Sequence, residues 1–104
     1  MEAPVVTNNR ANHRFELSAN GLTAFLTYQN KAGSIVLVHT EVPHELEGGG
    51  VGSKLARAGL DFAREQGLQV VPICPFVAGY IKRHEEYLDL VPAEYRARLS
   101  AKPD

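Results

Sequence analysis

Cysteine is nearly absent from this sequence, with Cys74 alone among 104 residues. One thiol forms no internal disulfide and supplies no multi-thiolate zinc site, so any chemistry at sulfur uses a single group. Long apolar runs are missing too. The longest, Ile35-Val36-Leu37-Val38, falls far short of the roughly 20 residues that cross a bilayer, and Met1 to Arg10 has no signal-peptide hydrophobic stretch. A cytoplasmic protein that does not enter the membrane is the expectation. Neither sign of charge dominates: eleven Lys and Arg against twelve Asp and Glu leave a formal charge of -1. No net basic field exists to hold nucleic acid or an anionic lipid surface. With 44% apolar and 22% charged residues, the chain lies outside the range of disordered proteins. At this length it should fold around one core, and a monomer is expected.

What is present divides by period. Residues 1–12 are polar, with Asn8, Asn9 and Asn12, and read as a flexible lead-in. From His13 on, Phe15 and Leu17 alternate with charged neighbours, and Asn20-Gly21 offers two residues that accept positive φ in a hairpin turn. Leu22, Ala24, Leu26 and Tyr28 recur at period two, a half-buried strand. Ser34 to Val42 carries the continuous apolar run, which suits a strand covered on both faces and the centre of the sheet. The period then becomes helical from Gly50 to Gln66, with Val51, Leu55, Ala58 and Phe62 on one face and Arg57 and Asp61 spaced i,i+4 on the other. Gly67 stops this helix. Leu68 to Cys74 follows as a short strand whose Pro72 must avoid the hydrogen-bonded interior or sit at a sheet edge. A strand-helix-strand crossover makes this strand parallel to Ser34–Val42. Pro75 opens another helix, with Val77, Ile81, His84 and Leu88 toward the core, running to Pro92. The whole is an α+β domain over residues 13–99, with a tail at 100–104.

The segment most open to chemistry is Glu47-Gly48-Gly49-Gly50-Val51-Gly52, which holds four of the nine glycines. Glycine exposes backbone N–H groups, and a helix beginning here adds the positive end of its dipole, so an anionic phosphate suits the segment. The alternative is a plain flexible loop. Gly52-Ser53-Lys54 reverses the order a P-loop requires, and the dinucleotide-binding G-x-G-x-x-G is not met.

His39-Thr40-Glu41-Val42-Pro43 followed by Leu46-Glu47-Gly48-Gly49-Gly50-Val51-Gly52-Ser53-Lys54-Leu55 resembles the acetyl-CoA-binding strand, loop and helix of the GNAT superfamily of N-acetyltransferases. There the loop reads Gln/Arg-x-x-Gly-x-Gly/Ala. Gly50 and Gly52 match it, and Glu47 departs from it. Cys74-Pro75-Phe76-Val77, Tyr80-Ile81, His84 and Glu86-Tyr87-Leu88-Asp89-Leu90-Val91 resemble the very small, stand-alone members of that superfamily, over Phe15 to Val91. The resemblance implies a reduced GNAT-like fold: antiparallel N-terminal strands, a strand-helix-strand unit, a C-terminal helix and splayed central strands. It further implies acetyl-CoA as cosubstrate, with pantetheine pairing near Thr40, Glu41 and Val42 and the pyrophosphate meeting Glu47, Gly48, Gly49, Gly50, Val51, Gly52 and Ser53. The resemblance to the very small members implies a chain without the elements that build the acceptor pocket in larger relatives.

Acetyl transfer from a thioester needs a free nucleophile, a donor to the carbonyl oxygen, a base and an acid. Strand N–H groups at Thr40 to Val42 suit the donor role. Glu41 and His39 share one strand face and are candidates for the base, or are a solvated charge and a packed histidine. Cys74 precedes a helix, where the dipole favours a thiolate that attacks the thioester; equally it is a small buried hydrophobe. The resemblance offers Tyr80 as acid, although Lys82 holds the usual offset. No metal is expected, since His39 and His44 alone make a poor ligand pair. The function expected is acetyl transfer from acetyl-CoA to an amine of a small molecule, peptide or protein. The rivals are a non-enzymatic acyl-CoA-binding or sensing module and a protein-interaction domain.

Overall fold

Thr7–Asn9 forms a short first strand, β1, antiparallel to β2 (Arg14–Ala19) in a computed structural model that describes residues 5–100. The fold therefore starts before His13, and the lead-in expected over residues 1–12 is corrected: only residues 1–4 lie outside the described residues, as does 101–104 of the expected tail. The polar residues of β1 hid it from any hydrophobic pattern because they are held by side-chain hydrogen bonds. The Tyr28 hydroxyl donates to Asn8 Oδ1 at 2.7 Å, and Asn9 Nδ2 donates to the Glu16 carboxylate at 3.1 Å.

Asn20 and Gly21 take φ of 55° and 77°, the left-handed pair that matches the twist of a tight hairpin. They join β2 to β3 (Leu22–Lys31), and the Gly33 turn leads to β4 (Ser34–Glu41). After α1 (Val51–Gln66) comes β5 (Gln69–Pro72), which pairs parallel to β4 from Ser34↔Gln69 to Leu37↔Pro72. The five strands lie in chain order, so β3 is central and β4 stands one place from the β5 edge. Pro72 closes that edge strand, where its missing N–H breaks no ladder. Two further helices follow, α2 (Pro75–Arg83) and α3 (Ala93–Ser100).

One core lies between the sheet and the helices. Leu17, Leu26, Ile35, Leu37, Leu55 and Leu60 are each sealed from solvent, and each such burial stabilises by about 1.5–3 kcal/mol. The buried stripe of α1 is Leu55, Ala56, Gly59, Leu60 and Ala63, turned from the expected line of Val51, Ala58 and Phe62, which are only half-buried. Small residues complete the stripe, and a count of large apolar side chains overlooks them. The helix expected from Pro75 to Pro92 ends at Arg83; His84 breaks it with φ -129°, and Glu85–Leu90 continues as a 3-10 turn. There Tyr87 donates to Asp61 at 2.8 Å. Asp61 thus serves Tyr87, and Arg57, spaced i,i+4 from it, stands beside Tyr80. No helix of the described residues is long and apolar enough to cross a membrane.

Candidate active site

Past Leu37 the two parallel strands part. β4 runs on through Val38 to Glu41, while β5 ends at Pro72. The Cys74 N–H still donates to the Leu37 carbonyl at 2.9 Å, and the chain then enters α2 at Pro75. Beyond that bond, the edge of β4 that faces away from β3 has no strand partner among the described residues. These are the splayed strands expected.

A β-bulge sets which way the β4 side chains point. Thr27 faces His39 but the next residue, Tyr28, faces Leu37, so Val38 is the extra residue. Residues directly opposite in an antiparallel pair share a face. Leu37 opposite Tyr28 and Thr40 opposite Leu26 therefore lie on the core side, and His39 and Glu41 on the other. Thr40 Oγ1 lies 3.2 Å from Cys74 Sγ, where either group donates the hydrogen bond. His39 Nε2 and Glu41 Oε1 are 3.8 Å apart, with both side chains more than half exposed.

The start of α1 faces the open edge of β4. Gly50 holds the capping position at φ 74° and offers no side chain to the first turn. The leading N–H groups of a helix have no partner within it, and here they look into a cavity of about 570 Å³. A side chain at Gly50 would meet open space, but its φ is one that L residues rarely adopt. The cavity is lined by His39, Thr40, Glu41, Val42, Glu47, Gly48, Gly50, Val51, Gly52 and Ser53, together with Leu46 and Phe76. Glu47 leans toward the exposed His44, 3.4 Å away. Gly49 does not line the cavity, and Cys74, buried at 3% exposure, sits behind Thr40.

Leu46 and Phe76 are the lining residues that the sequence reading left out. Phe76 is 41% exposed, and its ring lies where a Cβ on Gly52 would stand, 2.7 Å from the ring carbon Cζ. Gly52 thus permits the close approach of the Phe76 ring, a contact that the loop pattern alone does not reveal. Tyr80 faces elsewhere. Its ring stacks on His84 at 4.1 Å and borders a second cavity of about 220 Å³ with Ser53, Lys54 and Arg57. The neighbouring Tyr80 hydroxyl holds the Arg57 guanidinium even further above neutrality than usual. His84, expected in the core, is half exposed. No group of three or more His, Cys, Asp or Glu among the described residues is placed to hold a metal ion.

Residues 14–90 match the family described as GCN5-related N-acetyl-transferase. Protein NATD1 of Mus musculus is 35% identical over 89 residues, covering 81% of this chain and 81% of its own length. Protein NATD1 of Homo sapiens is also 35% identical over 89 residues, which span 81% of this chain and 79% of that protein. An NMR solution structure of a GCN5-like protein from Staphylococcus aureus superimposes with a TM-score of 0.68 at 28% identity, covering 88% of this chain and 91% of the other.

Proposed function

Because the chain belongs to the GCN5-related N-acetyltransferase family, we propose that it binds acetyl-CoA between β4 and the start of α1 and passes the acetyl group to an amine. The observation that carries this reading is the pairing of two unsatisfied backbone edges across one cavity: the free side of β4 past Leu37, and the uncapped first turn of α1. An amide-bearing arm can hydrogen-bond along the first, and a pyrophosphate can accept from the second. Gly48 and Gly50 leave open space where side chains would stand, so an anion can approach the backbone closely.

In the transfer, the amine nitrogen bonds to the thioester carbonyl carbon, the C–S bond breaks, and the amine proton leaves through a base while sulfur departs as a thiolate. Backbone N–H groups near Thr40 to Val42 steady the carbonyl oxygen as it gains charge. His39 and Glu41 stand on the exposed face of β4 and accept the amine proton from solvent's side. The buried thiol of Cys74, engaged by Thr40, supports a direct transfer over a two-step route through acetyl-cysteine. Tyr80 does not line this cavity and is left out of the proton path.

The test is the thermal midpoint with and without acetyl-CoA, for the natural chain and for Gly50→Glu. Ligand at 100 times its dissociation constant stabilises by about 2.7 kcal/mol, a rise of about 10 °C or more at this size. The rise should vanish in Gly50→Glu, compared with that variant's own unliganded midpoint. Absence of a rise in the natural chain at millimolar acetyl-CoA would overturn the reading.

A further inference from the structure

The backbone of β4 turns over at its bulge. The Leu37 carbonyl points toward β5, where it accepts from the Cys74 N–H at 2.9 Å. In a regular strand, carbonyls two residues apart point the same way, so the His39 carbonyl would share that direction. Instead the Thr27 hydroxyl donates to the His39 carbonyl oxygen at 3.3 Å, which puts that oxygen on the β3 side. The extra residue, Val38, is the cause. A trans peptide holds its C=O and its N–H on opposite sides, and no peptide bond among the described residues is cis. The Thr40 N–H therefore points away from β3, to the free edge of β4 where Thr40 lines the main cavity. The strand pairing agrees: the Tyr28 N–H donates to the His13 carbonyl at 2.9 Å, so Leu26, two residues earlier, also turns its backbone toward β2. Thr40, opposite Leu26, then turns its own backbone groups away from β3.

We infer that Thr27 is a positioning residue for the transfer: its hydroxyl holds the His39 carbonyl toward β3 and so aims the Thr40 N–H at the thioester carbonyl oxygen. This rests on the acetyl-CoA reading above and assigns a role to a residue outside the site. Thr27 is not among the residues lining the cavity. Its side chain is half-buried and stands opposite His39, on the face of the sheet away from the core. A bulge disrupts the ladder around it, and at that point the hydroxyl adds a donor from the neighbouring strand. One peptide plane links the two events, because whatever fixes the His39 carbonyl also fixes the Thr40 N–H at its other end. A donor set in advance toward the oxygen that gains charge stabilises the transition state without reorganising during the reaction. Thr27 reaches the thioester only through this plane.

The experiment is calorimetric titration of the full chain with acetyl-CoA and with S-ethyl-CoA, the thioether in which a methylene replaces the carbonyl. The natural chain is compared with Thr27→Val, which keeps a branched side chain suited to a strand, with Thr27→Ala, and with Thr27→Ser, which keeps the hydroxyl. Thermal melts of each variant verify folding. The natural chain should bind acetyl-CoA about threefold to tenfold more tightly than S-ethyl-CoA, from the worth of one hydrogen bond to the carbonyl oxygen. Thr27→Val and Thr27→Ala should bring that ratio near one by weakening acetyl-CoA alone, and Thr27→Ser should preserve it. Equal binding of both ligands by the natural chain overturns the inference and leaves acetyl-CoA binding intact. So does an unchanged ratio in the variants without a hydroxyl, or a ratio lost equally in Thr27→Ser. Weakening of both ligands to the same degree would make Thr27 a support of the strand alone and would overturn the inference as well. If the natural chain binds neither ligand, the underlying reading falls with it.

Discussion

Two helices begin beside the same cleft, and they begin in opposite ways. The first turn of α1 follows a glycine in left-handed conformation, has no side-chain cap, and opens on the larger cavity. The first turn of α2 follows Cys74, whose sulfur is taken by Thr40, and starts with Pro75, which has no N–H to leave unsatisfied. Behind it Val77, Tyr80 and Ile81 are buried. Neither start has a side-chain cap, but Pro75 and the buried Cys74 leave α2 one donor fewer and a packed start, while α1 keeps its leading backbone donors beside the larger cavity. A reactive site is expected where local stability has been left incomplete, which agrees with the proposed acetyl-CoA site at the start of α1.

If α2 is held by packing, truncating its core should cost most. Ile81→Ala, at a fully buried position, should destabilise by about 2–5 kcal/mol in denaturant unfolding. The ligand-dependent rise, measured against that variant's own unliganded midpoint, should survive. A loss below about 1 kcal/mol would mean that α2 is not anchored as described.

The next effect belongs to the other helix. Gly50→Ala places a Cβ at φ 74°, at a cost of about 1–2 kcal/mol. No atom crowds that position, so backbone conformation is the whole cause. Gly50→Asn should recover part of the loss, because asparagine tolerates the left-handed region better than alanine. If asparagine and alanine are equally destabilising in thermal melts, the cause is other than φ.

Several of these features can be read from residues alone and others cannot, for physical reasons. The Asn20-Gly21 turn, the alternation through Leu22, Ala24, Leu26 and Tyr28, and the edge position of Pro72 each follow from local chemistry, and the observed hairpin and sheet agree. The glycine loop was legible for the same reason. The bulge at Val38 was not, since a run of four apolar residues has no alternation for an extra residue to interrupt. Strand β1 is stabilised by polar side chains from distant positions, Tyr28 and Glu16. The reach of Phe76 onto Gly52 and the turning of Tyr80 toward Arg57 depend on how α2 docks against α1, which no short window of sequence contains.

Away from the cleft, polar groups tie α1 to the 3-10 turn that follows α2, and that tie has a pH signature. Arg64 donates to both Asp89 oxygens at 2.9 Å and to the Glu86 carbonyl at 2.8 Å, and it holds the Asp89 carboxyl below its ordinary range. Burial first, and then its bond to Asp61, push the Tyr87 hydroxyl up from 10.0 to about 12. The unfolded chain gives up this proton near pH 10 and the folded chain keeps it. Stability from Tyr87 is therefore complete below pH 10, falls as pH rises from 10 to about 12, and is gone above that. Tyr87→Phe should cost about 1 kcal/mol at neutral pH and should flatten that alkaline fall. An equally steep fall in the variant would assign it to another group.

The smallest expected change sharpens the comparison most, because two effects oppose each other where the two helix starts meet. Gly52→Ala removes backbone freedom from the unfolded chain, which favours the folded state by about 0.4–1 kcal/mol. The new Cβ would stand 2.7 Å from Phe76 Cζ, so the ring must move. The ring carbon at issue is the far end of a side chain that is 41% exposed, and the ring can swing without disturbing the backbone of α2. Its lost contacts are partial, so the two effects nearly cancel and stability should change by less than about 0.5 kcal/mol. The ring moves away from α1 and into the cavity that Phe76 lines. Acetyl-CoA affinity should therefore fall several-fold with stability unchanged, and Gly52→Ala combined with Phe76→Leu should recover it. Loss of stability without loss of affinity would mean that the contact between the helix starts serves packing alone, and the contrast between α1 and α2 would stop short of Gly52.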